Sequence, residues 1–369
     1  MPAAATRIGS SASTANTGGH AELTALQAAA VGRYTWWIGG ITLTAAAAIA
    51  LLGAPTAMAS AIIMTAAVGL VGLPHGAYDL EVGRRLLASR LGAWWWVCFG
   101  GAYLLLTVAA AALWAFAPEI GLALLLLGGA VHWGLDDLEI GARRGRGLRL
   151  WLGASRGAVP VAAPMLLASG EVAVIFSALL NGRDVTPGFV VFSGALWLAA
   201  ALPGLVVGAV LSFRTNRAAG VRSVLEPLVL LVWFGLAPAV LGFTVYFCFW
   251  HSVRHSMRSA FSASPPDASR RSIAADYLRA IAFPTILTWA LAAVAWAALS
   301  RSAGTGSLDS LYGLVFIGLF ALTVPHVLLE ILEHRVASVD SMACRSASLD
   351  GPTKHGKRVP PSGLEPETR

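Results

Sequence analysis

Long apolar runs alternate with short polar stretches along most of the chain, and each run is long enough to be read as a hydrocarbon-spanning helix. Ten such segments are expected, at roughly 34–53, 56–75, 92–116, 119–137, 157–180, 188–211, 223–237, 239–257, 276–299 and 310–333. The fold class is therefore all-α: a polytopic integral membrane helix bundle of eight to ten transmembrane helices, with ten preferred. Residues 223–257 could form one span bent at Pro238, and length alone does not choose. Residues 1–33 are rich in Ala, Ser, Thr and Gly without apolar period, and 336–369 turn polar, so both are expected to be disordered tails around a membrane-embedded domain at 34–335. The tails include His20 and His355, from which no chemistry is expected. Ala57-Met58-Ala59 could mark cleavage of a signal sequence, but apolar sequence resumes at once, which favours a retained first span.

Composition removes the soluble alternative. Hydrophobic residues make up 57% of 369 and charged residues 12%, with mean hydropathy +0.70, more apolar surface than a soluble core of this size could hide. The net charge of +7 would suggest nucleic acid in a soluble protein; here arginines beside apolar runs serve as topology signals facing anionic lipid, and nucleic acid is excluded. They cluster at Arg84/Arg85/Arg90, Arg143 to Arg156, Arg214/Arg217/Arg222 and Arg254/Arg258/Arg270/Arg271, whereas the turns near Pro55, Ala117 and Pro238 carry none, and Arg183 and Arg301 each have an Asp nearby. Strict alternation needs ten crossings with both termini cytoplasmic; the expected location is the inner (plasma) membrane. Cys98, Cys248 and Cys344 are too scattered for a disulfide framework or a thiolate site.

The histidines give this map its chemistry. His251 and His255 are four residues apart, so both imidazoles leave one helix face, although such a pair alone is more often a pair of interfacial or core histidines. His75, His132, His251, His255 and His326 all lie near the ends of even-numbered spans, which puts them at one depth on the cytoplasmic side. Intramembrane ionisable groups are costly and face a bundle interior, so five at one level point to a metal site. Asp79, Asp136 and Glu330 each follow His75, His132 and His326 by four residues, which makes them candidates to take the second ring N–H of a bound imidazole, though acids near helix ends are ordinary. Pro74 and Pro325 each precede a histidine and are expected to bend the backbone there. Trp133 and the Tyr246–Trp250 cluster could wall an apolar tunnel or belong to an aromatic belt, and a belt is the better reading of Trp94–Trp96. Gly204 and Gly208 read as helix packing, and Glu171 as a buried acid bonded to a neighbouring helix.

Imidazoles without thiolates suit iron, copper, zinc or nickel, and the set does not choose among them. No His-Glu-x-x-His is present, so a helix-borne hydrolytic base of that kind is missing. Four imidazoles leave positions open to a small molecule such as O2 in an apolar cavity, which fits an oxygenase acting on a lipid.

The segments Gly72-Leu73-Pro74-His75-Gly76-Ala77-Tyr78-Asp79, Val131-His132-Trp133-Gly134-Leu135-Asp136 and Phe249-Trp250-His251-Ser252-Val253-Arg254-His255, in this order, resemble the Brp/Blh family of bacterial β-carotene 15,15'-dioxygenases over about residues 34–335. The resemblance implies an Fe(2+) enzyme that cleaves β-carotene with O2 at the central double bond into two molecules of retinal, with a rhodopsin as possible acceptor. Carried over by position, the iron ligands would be His75, His132, His251 and His255, with His326 then placed near the site; the spacing adds Asp79, Asp136 and Glu330, and the aromatic clusters Trp133 and Trp250, as residues beside the metal or the substrate. Two rivals remain: a non-enzymatic membrane protein that binds carotenoid or retinal, and a haem-binding electron carrier with axial histidines.

Overall fold

In the computed structural model, residues 8–138, 145–265, 267–303 and 307–349 are described, with side chains left out at 8–21, 298–303, 334 and 337–349. Among them the chain is helical throughout, without strands. The elements are α1 (Ile8–Leu52), α2 (Ala57–Ala67), α3 (Leu73–Gly76), α4 (Asp79–Leu91), α5 (Trp95–Phe116), α6 (Pro118–Asp136), α7 (Arg146–Leu167), α8 (Ser169–Leu179), α9 (Pro187–Thr215) and α10 (Arg217–Leu236). There follow α11 (Ala239–Thr244), α12 (Val253–Ser262), α13 (Arg270–Ala303), α14 (Leu308–Tyr312) and α15 (Gly318–Leu349). Local chemistry starts several of them: the side chains of Thr56, Thr186, Asn216 and Ser307 accept hydrogen bonds from the first-turn amides of Ala59, Phe189, Ala218 and Ser310.

Nine of the ten expected spans each fall on one helical stretch, and the other, 157–180, is divided between α7 and α8 at Ala168. Eight helical stretches are long and apolar enough to cross a membrane, and one of these, 57–116, contains two of the expected spans joined through the charged α4. Large apolar side chains such as Leu105, Phe192, Phe283 and Val294 stand exposed on the outside, as a bilayer-facing surface requires. The chain is a membrane protein.

Three π-helical turns interrupt the regular ladder, at Val68–Gly72, Val245–Ser252 and Gly313–Ile317. The first leads into His75, the second contains His251, and the third lies in the segment that carries His326. A π turn adds a residue and re-aims the side chains after it, a device that recurs at functional sites. Pro74 sits in the first turn of α3 and Pro325 inside α15.

Helices α6 and α7 make the closest approach in the bundle. A Cβ on Gly134 would collide with the backbone of Gly153 and Gly157, and one on Gly157 with the backbone of Ala130 and Gly134. Only glycine lets the two backbones meet there, and that contact fixes the end of α6 on which His132 sits. Gly204 packs against Ser155 and Trp151, the helix-packing role expected of it.

Four readings from sequence change. Helix α1 begins at Ile8, so 8–33 is helical where composition argues for a tail; Leu23 is buried against Ala260, Phe261 and Ile273, and this docking offsets the weak local pattern. Glu171 lies in an exposed first turn, because the chain breaks at Ala168 between α7 and α8; its carboxylate accepts the Ala239 amide at 2.7 Å and so caps α11. Helix α15 runs to Leu349, so 336–349 is helical as well, where composition argues for a tail. Trp250 points away from the histidines: its indole N–H donates to Thr42 at 3.0 Å, and its ring packs with Ile38, Leu230 and Phe234. Residues 1–7 and 350–369, with His355, and the Arg143/Arg144 loop lie outside the described residues, as do the side chains of His20 and Cys344.

Candidate metal centre

The five histidines of the even-numbered spans come together in one buried cluster. Their ring centroids are 5.4 Å apart for His75–His251, His75–His255, His75–His326 and His255–His326. The remaining neighbouring pairs are His132–His251 at 4.9 Å, His132–His326 at 5.0 Å, and His132–His255 and His251–His255 at 5.8 Å. One donor atom each from His75, His132 and His251 lies within 4.8 Å of the others, and the same holds for His132, His255, His326 and Glu330. Imidazole nitrogens about 2.1 Å from a transition metal stand about 4.2 Å apart when opposed, so each of the two sets, which share His132, is spaced to suit an ion.

The carboxylates serve the histidines across helices rather than along them. Asp79 takes Nδ1 of His326, at 2.8 and 3.0 Å to its two oxygens, and also accepts the Tyr103 hydroxyl at 2.9 Å. Glu330 takes Nδ1 of His132 at 2.8 Å. Asp136 stands 3.8 Å from Nδ1 of His251 and 3.6 Å from Nδ1 of His255. Nδ1 of His75 meets the carbonyl of Gly72, inside its own π turn. For Asp79 and Glu330 the i,i+4 spacing thus finds acids that bond imidazoles but names the wrong ring, because the carboxyl reaches the histidine of another helix, while Asp136 approaches His251 and His255 without bonding either.

A second buried polar system adjoins the first, and Asp136 is its one member that sequence spacing singles out. Arg254 donates to Glu226 at 2.9 Å, to Asp137 and to the Trp250 carbonyl; Arg156 donates to Glu226 at 2.6 Å; Arg258 donates to Asp136 at 3.0 Å. The buried Arg254 and the half-buried Arg156 and Arg258 are thus partners of carboxylates, where charge distribution alone makes them topology signals. The signal available was Glu226 inside an apolar run, since a carboxylate there needs a cationic partner.

Whether the cluster fits a metal is tested by its unpartnered atoms. Nε2 of His132, both ring nitrogens of His251, Nδ1 of His255 and Nε2 of His326 are buried with no hydrogen-bond partner. Leaving a buried polar atom unpaired costs about 1–3 kcal/mol, and such concentration at one point needs a reason. Charge supplies a second test. Asp136, Asp137 and Glu226 are matched by Arg156, Arg254 and Arg258, whereas Asp79 and Glu330 meet imidazoles, which leaves a formal excess of two negative charges when the imidazoles are neutral. A divalent cation brings the site to neutrality, as a low-dielectric interior demands. The donor set fits.

On one side of the cluster lies an apolar chamber of ≈ 90 Å³, walled by α6, α7, α8 and the Gly313–Ile317 turn, with Thr323 as one of its few polar contacts. Trp133 and Phe247 form the wall shared with the histidines: Phe247 is 5.6 Å from the His75 ring and 6.1 Å from the His251 ring, and Trp133 is 6.2 Å from His251. From His132 to Leu122, which lines the far part, the rise of α6 is roughly 15 Å. Trp133 thus lies between the chamber and the cluster, whereas Trp250 does not.

The fold and the cluster define a class: a polytopic helical membrane protein with an intramembrane histidine centre able to hold a metal ion and an apolar chamber beside it. Comparison with known proteins makes this specific. Residues 66–332 match the family described as beta-carotene 15,15'-dioxygenase. The chain is 30% identical over 325 residues to the probable beta-carotene 15,15'-dioxygenase Blh of Halobacterium salinarum, covering 82% of this chain and 92% of that protein. It is 29% identical over 276 residues to the beta-carotene 15,15'-dioxygenase of uncultured marine bacterium 66A03, covering 72% and 90%. Identity to the probable dioxygenase Brp of H. salinarum is 30% over 341 residues, 78% and 88% of the two chains. The chain belongs to the beta-carotene 15,15'-dioxygenase family. No solved structure matches it.

Proposed function

We propose that this protein is an Fe(2+)-dependent β-carotene 15,15'-dioxygenase of the inner (plasma) membrane, which cleaves β-carotene with O2 at its central double bond to give two molecules of retinal. The observation that carries this reading is the convergence of buried, unpartnered imidazole nitrogens on one point beside an apolar chamber, in a chain of this family. His75, His132, His251 and His255 hold the iron, which when bound supplies the activation of O2.

The rest of the work falls to the chain. Asp79, Glu330 and the Gly72 carbonyl fix the tautomers and ring directions of His326, His132 and His75. A hydrocarbon offers no polar group to grip, so its position must come from shape: the chamber takes one arm of the polyene, and Trp133 and Phe247 hold the midpoint against the histidines. The apolar walls keep water away. No side chain is required to move a proton, and the carboxylates orient rather than act as acids or bases. Substrate and product enter and leave through the bilayer, where a rhodopsin is a natural acceptor of retinal.

The rivals fare less well on geometry. An axial haem pair needs a macrocycle between two imidazoles, but the neighbouring rings here stand within 5.8 Å of one another around one centre. A passive carotenoid binder gives no account of the unpartnered nitrogens. Expression in β-carotene-accumulating bacteria is the test: loss of orange colour with appearance of retinal is expected, and retained colour with carotenoid bound to the purified protein would make it a binder.

A further inference from the structure

The sequence motifs leave His326 beside the site, yet the geometry gives it the same standing as their four histidines. His75, His251, His132 and His326 form a closed ring of neighbours, each in contact with the next at 4.9–5.4 Å between centroids. His255 touches all four, at 5.4–5.8 Å. The two pairs not in ring contact, His75 with His132 and His251 with His326, are those that face each other across the ring. Five imidazoles so related describe a four-membered base with one cap.

The state of the His326 nitrogens agrees. Nδ1 is held by both oxygens of Asp79, which Tyr103 in turn fixes, so Nε2 is the free donor, and it is buried without a partner. His132 shows the same arrangement, Nδ1 on Glu330 and Nε2 unpartnered. An imidazole serving only to support another ligand would direct its second nitrogen to that ligand or to a carboxylate; Glu330 is 3.8 Å away from it, beyond a hydrogen bond. Phe247 and Trp133 contact rings of the base and neither contacts His255, so the side opposite the cap faces the chamber.

We propose that His326 is a fifth imidazole ligand of the metal, completing a base of His75, His251, His132 and His326 capped by His255. This leaves one side, toward the chamber, for a small molecule and the polyene. The inference rests on the metal reading given above and adds to it a ligand supplied by α15, which ties the last span to the centre.

The test uses the purified full chain, stripped and reloaded with Co(II), and reads metal per chain, affinity and visible absorption rather than activity. Loss of an anchoring partner alone, as in Glu330→Gln, is expected to weaken metal binding about 10–100-fold with the Co(II) bands nearly unchanged. For His326→Gly, we expect a loss of more than about 100-fold, altered Co(II) bands, and restoration of both by added imidazole. If the glycine variant does not accumulate, His326→Gln keeps most of the volume and is judged by the same bands. Wild-type affinity and bands in either variant, or an effect no larger than that of Glu330→Gln, would overturn the fifth-ligand assignment. Wild-type protein that takes up no Co(II) or iron would instead overturn the metal reading as a whole.

Discussion

Two buried polar systems lie side by side at the same end of the bundle, and they differ in how far their polar groups are satisfied. In the ion-pair system of Arg156, Glu226, Arg254 and Asp137, each charged group faces an opposite charge within hydrogen-bond reach. In the imidazole cluster, four of the five rings expose buried nitrogens to nothing. The first system is complete as it stands and acts as structure, locking α6, α7, α10 and α12 to one another. The second is complete only with something added. In a membrane interior, where water cannot supply the missing bond, an unpaired buried atom is a sharper sign of a ligand than a charged one.

That contrast can be broken most severely within the cluster. Replacing His132 or His251 with Ala should abolish retinal formation, by at least about 1,000-fold, while the protein still reaches the membrane; product chromatography and a membrane-fraction blot read the two effects. The ion-pair system should fail in the other way. Arg254→Ala leaves Asp137 and Glu226 short of a partner in a buried site and should cost about 3–5 kcal/mol, seen as loss of folded protein in detergent before any kinetic effect. If Arg254→Ala were as stable as wild type, the two systems would not differ as described.

Smaller changes sharpen the line between them. Glu330→Gln should lower metal affinity about 10–100-fold and leave the melting temperature of the metal-free protein close to wild type. Leu126→Trp, which adds bulk to the chamber wall away from the imidazoles, should slow β-carotene cleavage with metal content unchanged; full turnover would mean that the chamber is not where the polyene lies. Tyr103→Phe removes one bond to Asp79 and should cost about 1 kcal/mol, measurable as a modest fall in thermal stability.

Much of this is legible in the chain. Apolar run length marks the helices, and arginine placement groups the five histidines at one level without any coordinates. Periodicity reports which residues share a face, not which helix lies opposite, so it finds the acids and mistakes their partners: Asp79 serves His326 and Glu330 serves His132. A topology rule that counts charge near span ends, without asking what is buried, absorbs Arg254 and Arg258, and the neighbouring His251 draws Trp250 toward a site it does not face. A π turn rotates the residues after it, and spacing arguments built on 3.6 residues per turn cannot anticipate that. The expected disorder of 8–33 fails for a related reason, since Leu23 gains its burial from α12 and α13, far along the chain.

The measurement closest to the central claim is elemental analysis of the purified wild-type protein, alongside His251→Ala, on samples also assayed for retinal. One iron per wild-type chain, lost with activity in the variant, is the expected result. Retinal formation by a protein free of transition metal, or full iron and full activity in His251→Ala, would contradict the account.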